Sequence, residues 1–155
     1  MSHDSFPKSD FAVIEPLRVR YHEADMQNIV FNANYLVYAD IASTDYFRAL
    51  NEFSGANNAA VMDIFEKYGG EIMARHADVD FRAPARFSDI IDMHVRTTKL
   101  GNSSFTLQTV MKIGDDVINI VHVTYVYFDM KLQKSAALPN EVRDIIIGFE
   151  PIKPA

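Results

Sequence analysis

Apolar residues change their spacing once along this chain, and the change divides it into a helical part and a stranded part. From Tyr35 to Leu50 the spacing is helical. Tyr35, Tyr38, Ala39, Ala42, Tyr46 and Ala49 share one face, and Leu36, Val37, Ile41, Phe47 and Leu50 cover much of the rest. A helix apolar on most sides belongs inside its fold, wrapped rather than docked along one stripe. After Gly69–Gly70 the period drops to two and stays there. In EIMARHADVDFR, Ala77, Val79 and Phe81 fall on one face, and Pro84 then marks a strand end or an edge. Ile91, Met93, Val95 and Thr97 alternate with Ile90, Asp92, His94 and Arg96. Phe105, Leu107, Thr109, Met111 and Ile113 point inward from the following strand. Val117–Asp129 is apolar on both faces, with Val117, Val121, Val123, Tyr125 and Tyr127 opposite Ile118, Ile120, Val126 and Phe128. One face meets the helix. The other needs a cover that one helix cannot supply, which argues for a partner subunit.

Upstream of the helix, Leu17–His22 alternates strictly and predicts a half-buried strand. The acidic turn EADMQN follows, and Asn32 or Asn34 can cap a helix running to about Leu50. SGANN reads as a loop and VMDIFEKY as a short helix or turn. Lys99–Asn102 and Gly114–Asp116 make turns between strands, and Pro139–Asn140 opens a terminal helix. Strands segregated from helices give an α+β class with a curved antiparallel sheet wrapping one long central helix. Residues 1–155 form a single domain, with residues 1–12 and 149–155 as loose ends.

Composition narrows the functions. The chain has 155 residues, 48% of them hydrophobic and 23% charged, as in an ordinary soluble globule. A net charge of −6 leaves no domain-wide basic field for nucleic acid. No apolar run approaches a membrane span, and MSHDSFPKSDF lacks the design of a signal peptide, so the expected compartment is the cytoplasm. With no cysteine there is neither a thiol nucleophile nor a thiolate metal site. His3, His22, His76, His94 and His122 are scattered without metal-ligand spacing. GNSSF is not a serine-hydrolase elbow, and no glycine-rich nucleotide loop is present.

Asp25 stands out because it lies just ahead of the helix, near its unpaired backbone N–H groups. A carboxylate there can attack a carbonyl carbon directly or act as general base on water. Helix-start amides can hold the oxyanion that forms. The plain alternative is a turn-forming acid. Glu23 is a spare carboxylate, read as a solvent-facing charge, and His22 is read as a surface histidine. Asp40 sits in an otherwise apolar helix, where it either bonds a Ser or Tyr or meets a ligand. Ser43 is read as packing.

The stretch YHEADMQNIVFNANYLVYADIASTDYF resembles the signature of hotdog-fold acyl-CoA thioesterases of the 4-hydroxybenzoyl-CoA thioesterase type. DFRAPARFSDIIDMHVRTTKLGNSSFTLQTV, with its Pro-Ala before an Asp and its Gly-x-Ser-Ser turn, is similar to that family too, as is ALPNEVRDII. The likeness spans roughly residues 15–147. It implies a hotdog fold that hydrolyses a coenzyme A thioester without a cofactor, coenzyme A being part of the substrate. It also implies homo-oligomers, dimers often paired into tetramers, with active sites between subunits. Asp25 falls where this branch keeps its catalytic carboxylate, and Asn32 where a backbone N–H polarises the thioester carbonyl. Asn34 and Tyr35 match the family's Asn-Tyr at the helix start, and Asp40 an acidic position that can face the acyl group. Phe31, Tyr35, Tyr38 and Tyr46 could line an aromatic or an aliphatic acyl pocket. One position departs: the family usually has Gly three residues after the catalytic Asp, and this chain has Asn28, a residue tolerant of left-handed backbone. Arg86, Lys99, Asn102, Ser103, Lys131 and Lys134 are the candidates for holding the coenzyme A phosphates. The alternative function is a non-catalytic acyl-CoA-binding or sensor protein on the same fold. A hotdog-fold hydratase is a more distant one, for want of an Asp…His pair at the helix start.

Overall fold

The alternating segments build one antiparallel sheet, and the helical segment lies across its concave face. In order these are β1 (Val13–Arg18), α1 (Asn34–Phe53), the single turn α2 (Asp63–Glu66), β2 (Gly70–Phe81), β3 (Ile90–Leu100), β4 (Ser104–Ile113), β5 (Asp116–Asp129), β6 (Lys134–Ser135) and α3 (Asn140–Phe149). The structure is a computed structural model and describes residues 5–57 and 59–155. The first four residues of the expected loose N-terminus, His3 among them, and Asn58 of the expected loop lie outside the described residues. The strand order is β1-β3-β4-β5-β2. β6 pairs with β5 at Phe128 and Asp129, on the side β4 leaves free beyond the Ser104–Val126 pair. Among the described residues no helix is long and apolar enough to cross a membrane.

The inner faces of β3, β4 and β5 carry the expected residues. Ile91, Met93, Val95, Phe105, Leu107, Met111, Val121, Val123 and Tyr125 are buried beneath Tyr38, Ala42, Tyr46, Phe47 and Leu50 of α1. The centre is aromatic: Phe47 meets Phe65, Phe105 and Tyr125 edge-on, and Phe105 stacks on both of the other rings. Three register shifts interrupt the sheet, one of them in β3 between Thr97 and Lys99, and the other two bear on the expected faces. One separates Met111 from Lys112 opposite β5, so Ile118 joins the inner core while Val117 turns to the outer face. This reverses the expected faces of those two residues, because one extra residue inverts side-chain phase. The other, at Arg75, changes the phase of β2; beyond it Ala77, Val79 and Phe81 share one face as expected, but on this edge strand only Val79 is half-buried.

The first strand is displaced. It covers Val13–Arg18 rather than Leu17–His22, and Tyr21–Glu23 forms a 3₁₀ turn. Ladder pairing ends because Glu23 reaches back and accepts the Arg20 amide at 2.7 Å. β1 is an edge strand, which accommodates Pro16.

The chain ends are not loose where they are described. Phe11 is buried on the outer sheet face, edge-on to His94 at 5.3 Å, with the Arg96 guanidinium 4.5 Å over its ring. Lys112 Nζ donates to the Phe6 carbonyl. Phe6 and Phe11 thus cover Val110, Val117 and Ile120, so this chain supplies part of the cover that β5 was expected to take from a partner. At the other end Ala155 N–H donates to Thr98, and Leu100 N–H to Ala155. Buried Glu150 accepts the Tyr46 hydroxyl at 2.6 Å and the Thr97 amide at 2.7 Å.

The helix is not wrapped on all sides within one chain. Phe47 and Leu50 are buried, but Leu36, Val37 and Ile41 are 40%, 47% and 36% exposed.

Candidate active site

Asp25 opens a three-residue hairpin loop. Its N–H donates to Ile29 at 2.8 Å, and its carbonyl accepts the Asn28 amide at 2.9 Å. A loop of this length needs a left-handed residue at its last position. Asn28 occupies it at φ 62°, so asparagine takes up the turn that glycine usually makes. The arms continue as an Ala24–Val30 bridge, an Ile29–Arg86 bridge to the β2–β3 connection, and a Phe31 N–H bond to Glu23 O. The returning arm runs into Asn32 and α1. One hairpin therefore carries both the carboxylate and the helix-start amide.

The Asp25 carboxylate is half-buried in a cleft of about 520 Å³ lined by Tyr21, His22, Ala24, Met26, Asn28 and Phe87. Tyr21 and Phe87 form its aromatic wall, ring to ring at 5.7 Å. Oδ1 accepts the Gln27 amide at 2.8 Å, and Oδ2 has no partner among the described residues. Asn32 lines a neighbouring depression of about 190 Å³ with Ile29, Val30, Tyr35 and the segment Phe81–Pro84. The backbone N–H groups of Asn32 and Ala33 donate to no described residue. α1 has no side-chain N-cap: Ala33 holds that position, and neither Asn32 nor Asn34 acts as the expected cap. Asn34 spends its side-chain amide on Glu23 O at 3.0 Å instead.

The remaining candidates divide by location. Tyr35 is buried, and its hydroxyl accepts the Ala85 amide, so it is bonded into the wall of the smaller depression. Phe31 is 55% exposed beside the hairpin. Asp40 stands on the exposed face of α1 among Leu36, Val37 and Ile41, and desolvation by its neighbours raises its carboxyl. Ser43 and Thr44 bond its backbone carbonyl, so the expected side-chain bond to a Ser or Tyr is not made. Ser43 itself is buried. Arg86 is exposed near the hairpin. Lys99, Asn102, Ser103, Lys131 and Lys134 lie at the opposite end of the sheet, where Ser103 O accepts the Tyr127 amide and Asp129 pairs with Lys134. A strand the length of β3 places those ends roughly 30 Å apart. A single chain does not bring them to Asp25.

Glu23 was expected to face solvent and is instead 3% exposed. Burial alone would raise its carboxyl, but hydrogen bonds from the Arg20 guanidinium and amide outweigh it and hold the group below the ordinary carboxylate range. The one signal for this in the sequence is the spacing, an acid three residues after Arg20, where its carboxylate can reach back to the Arg20 amide.

The sequence profile of the thioesterase superfamily matches residues 27–119. The chain belongs to that superfamily. Within it, the chain is 27% identical over 128 residues to an acyl-CoA thioester hydrolase of Escherichia coli, YbgC, covering 82% of this chain and 90% of that protein. It is 25% identical over 130 residues to the E. coli long-chain acyl-CoA thioesterase FadM, covering 83% and 92% of the two. Among solved structures, a Thermus thermophilus thioesterase complexed with coenzyme A and Zn superposes with a TM-score of 0.77 at 22% identity, covering 92% of this chain and 97% of that one. A gentisyl-coenzyme A thioesterase gives 0.71 at 22% identity, covering 86% and 99%. The superfamily member described here accordingly has the hotdog fold, its curled antiparallel sheet half-wrapped around α1.

Proposed function

We propose that this chain hydrolyses the thioester of an acyl- or aroyl-coenzyme A to the free acid and coenzyme A. Asp25 either attacks the acyl carbon, giving a mixed anhydride that water then opens, or takes a proton from the attacking water. In both routes the thiolate of coenzyme A leaves and takes up a proton, and one water is consumed. The Asn32 amide holds the carbonyl oxygen as charge develops on it, aided by the α1 dipole. The observation that carries this reading is the hairpin itself. It sets a carboxylate with one unengaged oxygen in a cleft and leads directly to helix-start amides that have no partner. The names of the relatives support the same reaction.

The site is completed by a second copy. β2 is a twelve-residue edge strand with exposed Met73 and Phe81 and a row of unpaired backbone groups. Antiparallel pairing of two such edges sets the Phe81 end of one copy beside the Gly70 end of the other. The Lys131 turn adjoins Gly69 through the Met130 amide, so the basic end of one copy reaches the Asp25 end of its partner. Light scattering should show a dimer or larger; a monomer at micromolar concentration removes the shared site.

The test of the reaction is a panel of acyl-coenzyme A esters followed with a thiol-detecting reagent, on wild type and Asp25→Asn. Turnover by the wild type and its loss in Asp25→Asn are expected. Tight binding of an acyl-coenzyme A without turnover would make the protein a sensor.

A further inference from the structure

Glu23 is a buried acid that the reaction does not use, and every polar group it has is occupied. Its carboxylate takes the Arg20 amide on Oε1 and the Arg20 guanidinium on Oε2, each at 2.7 Å. Its amide donates to Arg20 O at 3.0 Å. Its carbonyl accepts the Phe31 amide and the Asn34 side-chain amide, both at 3.0 Å. Three pieces of chain meet on this residue: Arg20 just beyond the first strand, the returning arm of the hairpin at Phe31, and the first turn of α1 at Asn34. Asp25 lies two residues beyond it, and Asn32 directly follows Phe31. The Tyr38 hydroxyl, fully buried on α1 beside the Glu23 carboxylate, adds to the cluster. Burial and the neighbouring Glu23 carboxylate both push that hydroxyl up, so it stays protonated beside the charge.

We propose that Glu23, held by Arg20, is a positioning residue that sets the separation between the Asp25 carboxylate and the Asn32 amide. The proposal rests on the reading of Asp25 as the reacting group. Two groups that act on one carbonyl must be held to within a fraction of an ångström, and misplacement by about 1 Å can cost 100-fold in rate. Asp25 itself cannot supply that rigidity, since it stands on a loop with only the Gln27 amide on its side chain. Glu23 supplies it from two residues away. A hydrogen-bonded charge pair is a stiffer link than a neutral pair. A glutamine at this position keeps the shape but loses that stiffness.

The experiment compares Glu23→Gln, Arg20→Met and Arg20→Lys with Asp25→Asn, each by steady-state kinetics on the best acyl-coenzyme A and by urea unfolding. Arg20 is the more exposed member of the pair, 56% exposed, so its loss opens no cavity; it does leave the Glu23 carboxylate without its ion-pair partner, which is why kcat is taken per folded molecule. Glu23→Gln and Arg20→Met are expected to lower kcat about 10- to 100-fold per folded molecule with KM changed less than about threefold. Arg20→Lys, which keeps a charged donor, is expected to recover most of what Arg20→Met loses. A merely structural role would lower the folded fraction and leave kcat per folded molecule alone, and that result overturns the proposal. So does wild-type kcat in Arg20→Met while Asp25→Asn is inactive, which leaves the Asp25 reading standing. Full activity in Asp25→Asn would instead remove the reading on which the proposal rests.

Discussion

Under α1, Phe47, Phe65, Phe105 and Tyr125 pack ring against ring, none more than 8% exposed. At the hairpin and the adjoining β2–β3 connection the same kinds of side chain stand out from the surface. Tyr21 is 82% exposed, Met26 fully so, Phe31 55% and Phe87 51%. The first group is placed by burial, which removes apolar area from water and repays the ordering of each ring. The second group gains little from the folding of one chain. Apolar side chains gathered in solvent around a carboxylate indicate a surface that something else covers, a substrate or a second copy. The two regions should therefore fail differently when cut.

The sharpest contrast is in activity. Asp25→Asn should lower kcat by about 10²–10⁴-fold, the usual cost of losing a general base, and leave the urea midpoint where it was. A variant with most of the wild-type activity would merge the two regions into one structural role. Phe47→Ala should show the reverse, losing about 3–5 kcal/mol in urea unfolding because a fully buried ring leaves a cavity. Its kcat per folded molecule should change little.

Tyr21→Ala deletes a ring of similar size from the hairpin, and its stability cost should stay within about 0.5 kcal/mol. A rise in KM, or a shift toward monomer in light scattering, is expected instead. If Tyr21→Ala destabilises as much as Phe47→Ala, the exposed aromatic wall is part of the core after all.

Asn28→Ala tests the turn that carries Asp25. A Cβ-bearing residue without a polar side chain costs about 1–2 kcal/mol in the left-handed region, whereas Asn28→Gly should be close to neutral. Equal stabilities for the two variants would show that the positive φ is not held in solution.

The smallest effect belongs to the outer face. Burial lowers the His94 pKa, with Lys112 acting the same way and the Asp92 carbonyl and carboxylate opposing them. The folded state therefore favours the neutral ring. Stability from this site is fully present above the ordinary histidine value, about 6.5, and is lost as pH falls below it toward the lowered value. Proteolysis of the segment ahead of Phe11 should be faster at the acidic end of that window, and His94→Gln should flatten the dependence.

Local pattern was enough for the sheet and for the inner face of the helix. Alternation in β4 and in most of β3 and β5 follows from the geometry of a pleated strand, which holds wherever no bulge intervenes. Helical spacing likewise identified Tyr38, Ala42 and Tyr46 as core. Asp25 was legible as a candidate because an acid just before an apolar helix can be seen without coordinates. Its surroundings were not, because they come from distant segments. Phe87 reaches the cleft from the β2–β3 connection, and Phe11 reaches His94 across the outer face. The bulge at Ile118 inverted faces that strict alternation would have kept, since one inserted residue has no signature in a period-two pattern. Glu23 marks the limit most clearly. As a residue type it belongs to water, and the Arg20 guanidinium and amide on its carboxylate make burial tolerable. Sequence by itself determined the central strands, the helix and the turn that carries Asp25, because those depend on near neighbours. Tertiary structure alone decided which charge was buried, which termini were tied down, and which end of the sheet each basic residue occupied, because those depend on where the chain returns.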